Sequence, residues 1–170
     1  MVIHSATFVY AWCSAHIGFN AESLERVIKM INENTVELSL PNVVGYERIA
    51  MGCSETFAKN LGFKRERIED LKTAVAEACL NAMKHGNKGQ TDARVIVVMN
   101  YDDDSFQVEV WDKGDGIAQF PNDPDIDKII NQMDPMVGFG LFLIRKLVDK
   151  VEFNKIDSQG HVVKMIVKKN

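Results

Sequence analysis

Between Ile68 and Ala93 the hydrophobic period of the chain switches from helical to extended, and that switch limits the folds open to it. Ile68, Leu71, Val75, Ala78, Cys79 and Ala82 recur at the spacing of one helix face, and Gly86 suits a helix stop. The spacing predicts a helix over residues 65–85. Residues 93–100 and 106–111 then read as strands, joined by an acidic turn over 101–105. Upstream, residues 35–40 alternate and meet Pro41, which predicts a first strand. Ile49, Phe57 and Leu61 predict a helix over 43–61 that stops at Gly62. Downstream, an apolar helix is expected from Gly138 to about Lys150, followed by a hairpin of residues 151–156 and 161–167. Residues 114–137 hold three of the four prolines and read as a lid or binding loop, with one short helix over 127–133. The expected fold class is α+β, a two-layer sandwich whose mixed or antiparallel sheet is covered on one face by helices.

Composition narrows the function classes. Of 170 residues, 46% are hydrophobic and 26% charged, enough apolar material for a core and against wholesale disorder. The net charge of −4 offers no case for nucleic acid or for a polybasic membrane anchor. No apolar window is long enough to span a bilayer, and three cysteines (Cys13, Cys53, Cys79) make no disulfide framework. Residues 5–19 are apolar but lack the preceding basic residues of a secretory signal, so a cytoplasmic protein is expected. Residues 1–34 are expected to form an N-terminal extension, partly helical (20–32, capped by Asn20) or mobile, ahead of a domain over 35–170. Met30 is an alternative start. Cys13 and His16 alone are too few ligands for a metal.

Three segments carry chemistry. Glu77, Asn81 and His85 fall at i, i+4 and i+8 on the predicted 65–85 helix, beside Ala74, Ala78 and Ala82, which would allow a ligand to approach closely. A carboxylate there can take a proton from an attacking hydroxyl, and an amide oxygen can ligate Mg²⁺. The same stripe also fits a solvated helix face, with His85 favouring the C-terminal dipole. Next, Asp112-Lys-Gly114-Asp-Gly116-Ile117 follows a strand. An ionised carboxylate only accepts hydrogen bonds, so it can select a ring presenting an amine. A plain Gly/Asp turn fits too. A calcium loop fails, because Gly114 stands where a ligand belongs and Ile117 where the glycine belongs. Last, Gly138-Phe139-Gly140-Leu141 opens a helix whose free N–H groups suit phosphate. Neither a P-loop nor a Rossmann fingerprint is present.

Taken in order, Glu-x-x-x-Asn, Asp-x-Gly-x-Gly, a proline-bearing loop and Gly-x-Gly-Leu resemble the GHKL ATP-binding fold of gyrase-type ATPases, histidine kinases and mismatch-repair ATPases. The resemblance spans residues 35–168. It implies ATP or ADP with Mg²⁺ as cofactors. Asp112 would hold the adenine amine, Gly114 and Gly116 would shape the pocket and Ile117 would lie against the base. Asn81 would be the metal ligand, and Gly138, Phe139, Gly140 and Leu141 would meet the phosphates with Lys84 and His85 nearby. Glu77 would be the catalytic base.

The length sets the expectation of a stand-alone member, because kinases with a phospho-accepting hairpin and ATPases with a transducer domain need more chain. Leu40-Pro41, Leu61-Gly62-Phe63, Ala76-Glu77-Ala78-Cys79, Gly140-Leu-Phe-Leu-Ile144 and Leu147-Val-Asp-Lys-Val-Glu152 look like the bacterial anti-sigma-factor serine/threonine kinases of partner-switching systems. That resemblance implies phosphorylation of a STAS-domain antagonist, binding of a sigma factor or other regulator, and a homodimer formed through the first helix. One departure stands out. Family members carry a basic residue just before the Gly-x-Gly, and here Met136 and Val137 stand there, leaving Lys128, Lys113 or Lys84 as substitutes. The departure favours an alternative, a nucleotide-loaded module that sequesters its partner without turnover.

Overall fold

The computed structural model describes residues 34–102, 104–114, 138–156 and 160–169. The chain divides into two units, Met1–Thr35 and Val36–Asn170, and apart from Thr35 every element below belongs to the second. In chain order these are strand β1 (Thr35–Pro41), helices α1 (Glu47–Asn60) and α2 (Arg65–Asn81) and a π-helical turn (Ala82–Gly86). Strands β2 (Arg94–Tyr101) and β3 (Ser105–Asp112), helix α3 (Phe139–Leu147) and strands β4 (Lys150–Ile156) and β5 (Gly160–Lys168) follow. The sheet runs β1-β2-β3-β5-β4, with antiparallel pairing of β2 with β3, β3 with β5 and β5 with β4. This is the expected α+β class, a sheet with helices packed on it. The predicted helix over 20–32, the Cys13 and His16 pair and the short helix over 127–133 lie outside the described residues.

Burial follows the period of each element. Along β3, Phe106, Val108, Val110 and Asp112 are buried while the residues between them are only half-covered, the signature of a sheet with one covered face. Leu71, Ala74, Val75 and Ala78 of α2 join Val95, Val97, Val108, Val110 and Met165 in one buried cluster. Ala74, Ala78 and Ala82 therefore pack in the core and do not line a ligand path, which corrects the sequence expectation. The reason is that one stripe of small side chains serves close helix-on-sheet packing.

Helix α1 starts at Glu47, later than the predicted residue 43, and its buried side is Glu47, Ala50, Ser54 and Ala58. Ile49, counted as a core position from its spacing, is 51% exposed. Gly45 has φ +109°, and its N–H donates to the Glu47 carboxylate at 2.5 Å, so a turn occupies the residues before the helix. At the other end Gly62 takes φ +76°. The Phe63 N–H donates to the Ala58 carbonyl and the Gly62 N–H to that of Lys59, a Schellman ending that reverses the chain into α2.

Arg67 ties the start of α2 to the end of α3. Its guanidinium donates to the Leu147 carbonyl at 3.1 Å and to Asp70 at 3.2 Å, and it pairs with Asp149. Asp149 also accepts the Lys168 N–H of β5 at 2.8 Å. Replacing Arg67 with Ala is expected to cost about 1.5–3 kcal/mol, the range for hydrogen bonds to charged groups, read as a lower urea midpoint with an unchanged slope.

Cys79 lies fully buried on α2, and burial, with the nearby Glu47 charge, pushes its thiol up to about 12. Below about pH 8.5 the thiol is neutral in both folded and unfolded chains. Stability is therefore lost as pH rises from there toward 12, because the unfolded chain ionises first. Unfolding midpoints measured between pH 8 and 10.5 should fall less steeply for Cys79→Ala than for the natural chain.

Candidate active site

Two clusters hang on the last turns of α2. In the first, the Glu77 carboxylate and the Asn81 amide meet Gly140 in the first turn of α3. A Cβ at Gly140 would overlap Glu77 Oε2 and lie 3.5 Å from Asn81 Nδ2, so a larger residue there would have to displace the Glu77 carboxylate. Gly138 caps that helix with φ +79°, in the left-handed region that favours glycine. A carboxylate beside the first turn also faces the positive end of the helix dipole. Asn81 Nδ2 is buried and has no hydrogen-bond partner among the described residues. A phosphate oxygen would supply the acceptor this donor lacks.

The second cluster surrounds Asp112. Alternation along β3 turns its side chain to the covered face, where a carboxylate is costly unless it is hydrogen-bonded. Its Oδ1 accepts the Gly114 N–H at 2.7 Å, and its Oδ2 lies 3.4 Å from His161 Nδ1 on the paired strand β5. Gly86, at the end of the π turn, leaves the room: a Cβ there would overlap the Asp112 carboxylate. A Cβ at Gly114 would stand 2.6 Å from the Gly86 backbone.

Asn87 locks this turn in place. It is buried, its Oδ1 accepts the Lys113 N–H at 2.8 Å, and its Nδ2 donates to Asn42 Oδ1 and to the Arg94 carbonyl. Asn42 in turn donates to the Gln90 carbonyl at 2.9 Å. The ends of α2, β1 and β3 and the start of β2 are thus pinned through two amides.

Of the residues singled out from sequence, the structure brings Glu77, Asn81 and Gly140 together, and separately Asp112 and Gly114. Phe139 and Leu141 lie half-buried in the first turn of α3. Lys84 and His85 are exposed on the π turn. The wider turn breaks the i, i+4, i+8 register, so His85 leaves the stripe of Glu77 and Asn81. Gly116, Ile117, Lys128, Met136 and Val137 lie outside the described residues. Sequence reasoning missed the roles of Gly86, Asn87, Gly160 and His161. The signal for Asp112 and its neighbours was the alternation Phe106, Val108, Val110, which continues onto Asp112.

Comparison with known proteins gives the family. The model of the histidine kinase-like ATPase domain matches residues 44–167. The serine-protein kinase RsbW of Oceanobacillus iheyensis is 30% identical over 136 residues, 74% of this chain and 82% of that protein. The protein of the same name from Listeria innocua serovar 6a is 33% identical over 121 residues, covering 69% of this chain and 77% of that one. Among solved structures, the RsbU and RsbW domains of a Mycobacterium tuberculosis protein share the fold at TM-score 0.56 and 16% identity. That likeness covers 78% of this chain and 32% of the longer one. This chain belongs to the histidine kinase-like ATPase domain family.

The glycine geometry yields a paired prediction. Gly114→Ala pushes a methyl into backbone and should cost about 1–3 kcal/mol. Gly52→Ala sits in the interior of α1 with nothing within 4 Å of the added Cβ and should stabilise by about 0.5–1 kcal/mol. Thermal unfolding of the two variants should move in opposite directions.

Proposed function

We propose that this chain is an ATP-dependent serine/threonine protein kinase of the anti-sigma-factor type, phosphorylating a STAS-domain antagonist in a partner-switching system. The observation that carries the reading is the meeting of Glu77 and Asn81 with the glycine-opened start of α3, one π turn away from a buried acceptor at Asp112. The names of the relatives as serine-protein kinases support it. In this reading residues 35–170 form the kinase domain and residues 1–34 an extension.

In this reading the two clusters hold the two ends of a nucleotide. Asp112, being an acceptor only, would take the amine of adenine, and Gly86 and Gly114 keep the ground beside it free of Cβ atoms. The leading N–H groups of α3, at Phe139, Gly140 and Leu141, have no partners within their helix and would bind phosphate oxygens. Asn81 would give one oxygen to Mg²⁺, an ion that commonly takes one or two protein ligands and shares the substrate phosphates. Among the described residues no group of three His, Cys, Asp or Glu side chains could hold a metal alone. When bound, ATP with Mg²⁺ supplies the transferable phosphoryl group and its charge neutralisation. Glu77 would accept the serine hydroxyl proton at its carboxylate, half-buried at the mouth of α3.

No helix among the described residues is long and apolar enough to cross a membrane. A cytoplasmic homodimer meeting a sigma factor through protein contacts rather than DNA completes the reading, in keeping with the net charge of −4.

Incubation with ATP, Mg²⁺ and a STAS-domain protein from the same genome tests it. Glu77→Gln should lower phosphate transfer at least about 100-fold, the usual worth of a general base, while ADP affinity stays within about twofold. Transfer at the natural rate by that variant would remove Glu77 from its role. ADP binding with no transfer by the natural chain would favour the non-catalytic module that the Met136-Val137 departure suggests.

A further inference from the structure

Asp112 is held by more than its own turn. His161 is its register partner on β5, and both side chains are buried, at 6% and 5% relative exposure. An ionised carboxylate cannot donate, so in this pair the imidazole donates through Nδ1–H and Oδ2 accepts. The other ring nitrogen, Nε2, is buried and has no hydrogen-bond partner among the described residues. Asp112 is therefore the one polar hold on the ring among those residues. Phe153 of β4 lies nearly parallel to the imidazole, with ring centres 6.4 Å apart and planes 14° from parallel.

The backbone leading into His161 is shaped for this approach. Gly160 takes φ +111°, and a Cβ there would overlap the Asp112 carbonyl oxygen and stand 2.9 Å from Lys113 Cα. The carboxylate thus has Gly86 against it, the Gly114 N–H on Oδ1 and the imidazole at Oδ2. The second torsion of an aspartate is soft, and a donor beside each oxygen narrows that freedom. A carboxylate oxygen accepts along two lone-pair directions, so one on each oxygen stays open, and its direction is now set.

We propose that His161 is a positioning residue that orients Asp112 and so sharpens selection of a nucleobase carrying an exocyclic amine over one carrying an oxo group. The proposal rests on the reading that Asp112 receives the base amine. His161 touches the carboxylate and acts through it. A 6-oxopurine presents an acceptor where the amine would be and gains nothing from the orientation.

Direct titration of the full chain with ADP and with inosine diphosphate separates the cases. His161→Phe keeps a ring to lie on Phe153 and removes the donor. Its ADP affinity should fall about tenfold, in the range of a lost hydrogen bond to a charged group, with inosine diphosphate affinity within about twofold of the natural chain. His161→Asn puts an amide N–H where Nδ1 stands and should restore ADP affinity to within about threefold. Should the Phe variant not fold, by circular dichroism, His161→Leu provides the same donor-free comparison. Equal losses for the two nucleotides would mean a packing role alone and overturn the proposal, as would natural ADP affinity in the donor-free variant. Asp112→Asn reports on the underlying reading. Loss of ADP preference there, with none in the His161 variants, sinks only the positioning role, whereas unchanged preference in Asp112→Asn sinks both.

Discussion

The site depends on a carboxylate placed where the strand's own period calls for an apolar side chain. Phe106, Val108 and Val110 fill the covered row of β3, and Asp112 continues that row into a buried position. An ionised group there is tolerable only with hydrogen bonds in fixed directions, and the surrounding chain supplies them. The glycines at 86, 114 and 160 follow from the same need, since each lets backbone come within reach of Asp112 or its turn. Asn87 then holds the turn from the helix side. A polar row-end, three glycines and a buried amide form one construction rather than five separate features.

Helix α2 supplies both layers of that construction at once. Leu71, Ala74, Val75 and Ala78 bury its inner stripe against the sheet, which leaves Glu77 and Asn81 on the flank that meets α3. The π turn that ends it widens the last coil: the Asn87 N–H reaches back to the Ala82 carbonyl at 2.7 Å. Such bulges often sit at functional sites. Here the turn carries Gly86 under Asp112, and it also sends Lys84 and His85 outward.

Much of this was legible in the sequence because it is periodic or punctuated. The switch of hydrophobic period located α2, β2 and β3, and Gly62 and Gly86 marked the stops of the helices before them. Glu77, Asn81, Asp112 and Gly140 stood out as candidates through the order of a carboxylate, an amide and glycines, and the structure brings the first two against Gly140. What failed did so for local reasons. Ile49 has helical spacing, but α1 buries its Ala50, Ser54 and Ala58 side, where small residues allow close approach to α2. His85 belonged to the stripe only for an uninterrupted α-helix, and a π turn leaves no mark in hydrophobic spacing. His161 reads as one polar residue in an apolar strand. Its partner lies 49 residues away and becomes visible only once β3 and β5 are paired in register.

Register between α2 and α3 links stability to the site. Arg67, at the start of α2, grips the Leu147 carbonyl at the end of α3, while Glu77 and Asn81, at the end of α2, meet Gly140 at the start of α3. The two helices therefore run antiparallel, hydrogen-bonded at one end and closely apposed at the other. At 1.5 Å per residue, Arg67 and Asn81 stand about 21 Å apart along α2. The gap left for Glu77 by the absent Cβ of Gly140 is far smaller than one helical turn. A shift of α3 that placed a larger side chain at this point would push the Glu77 carboxylate out of its place, since even a methyl overlaps Oε2. The Arg67 clasp is then more than a surface ion pair, because the same register that it enforces sets the opening of α3 against Glu77 and Asn81.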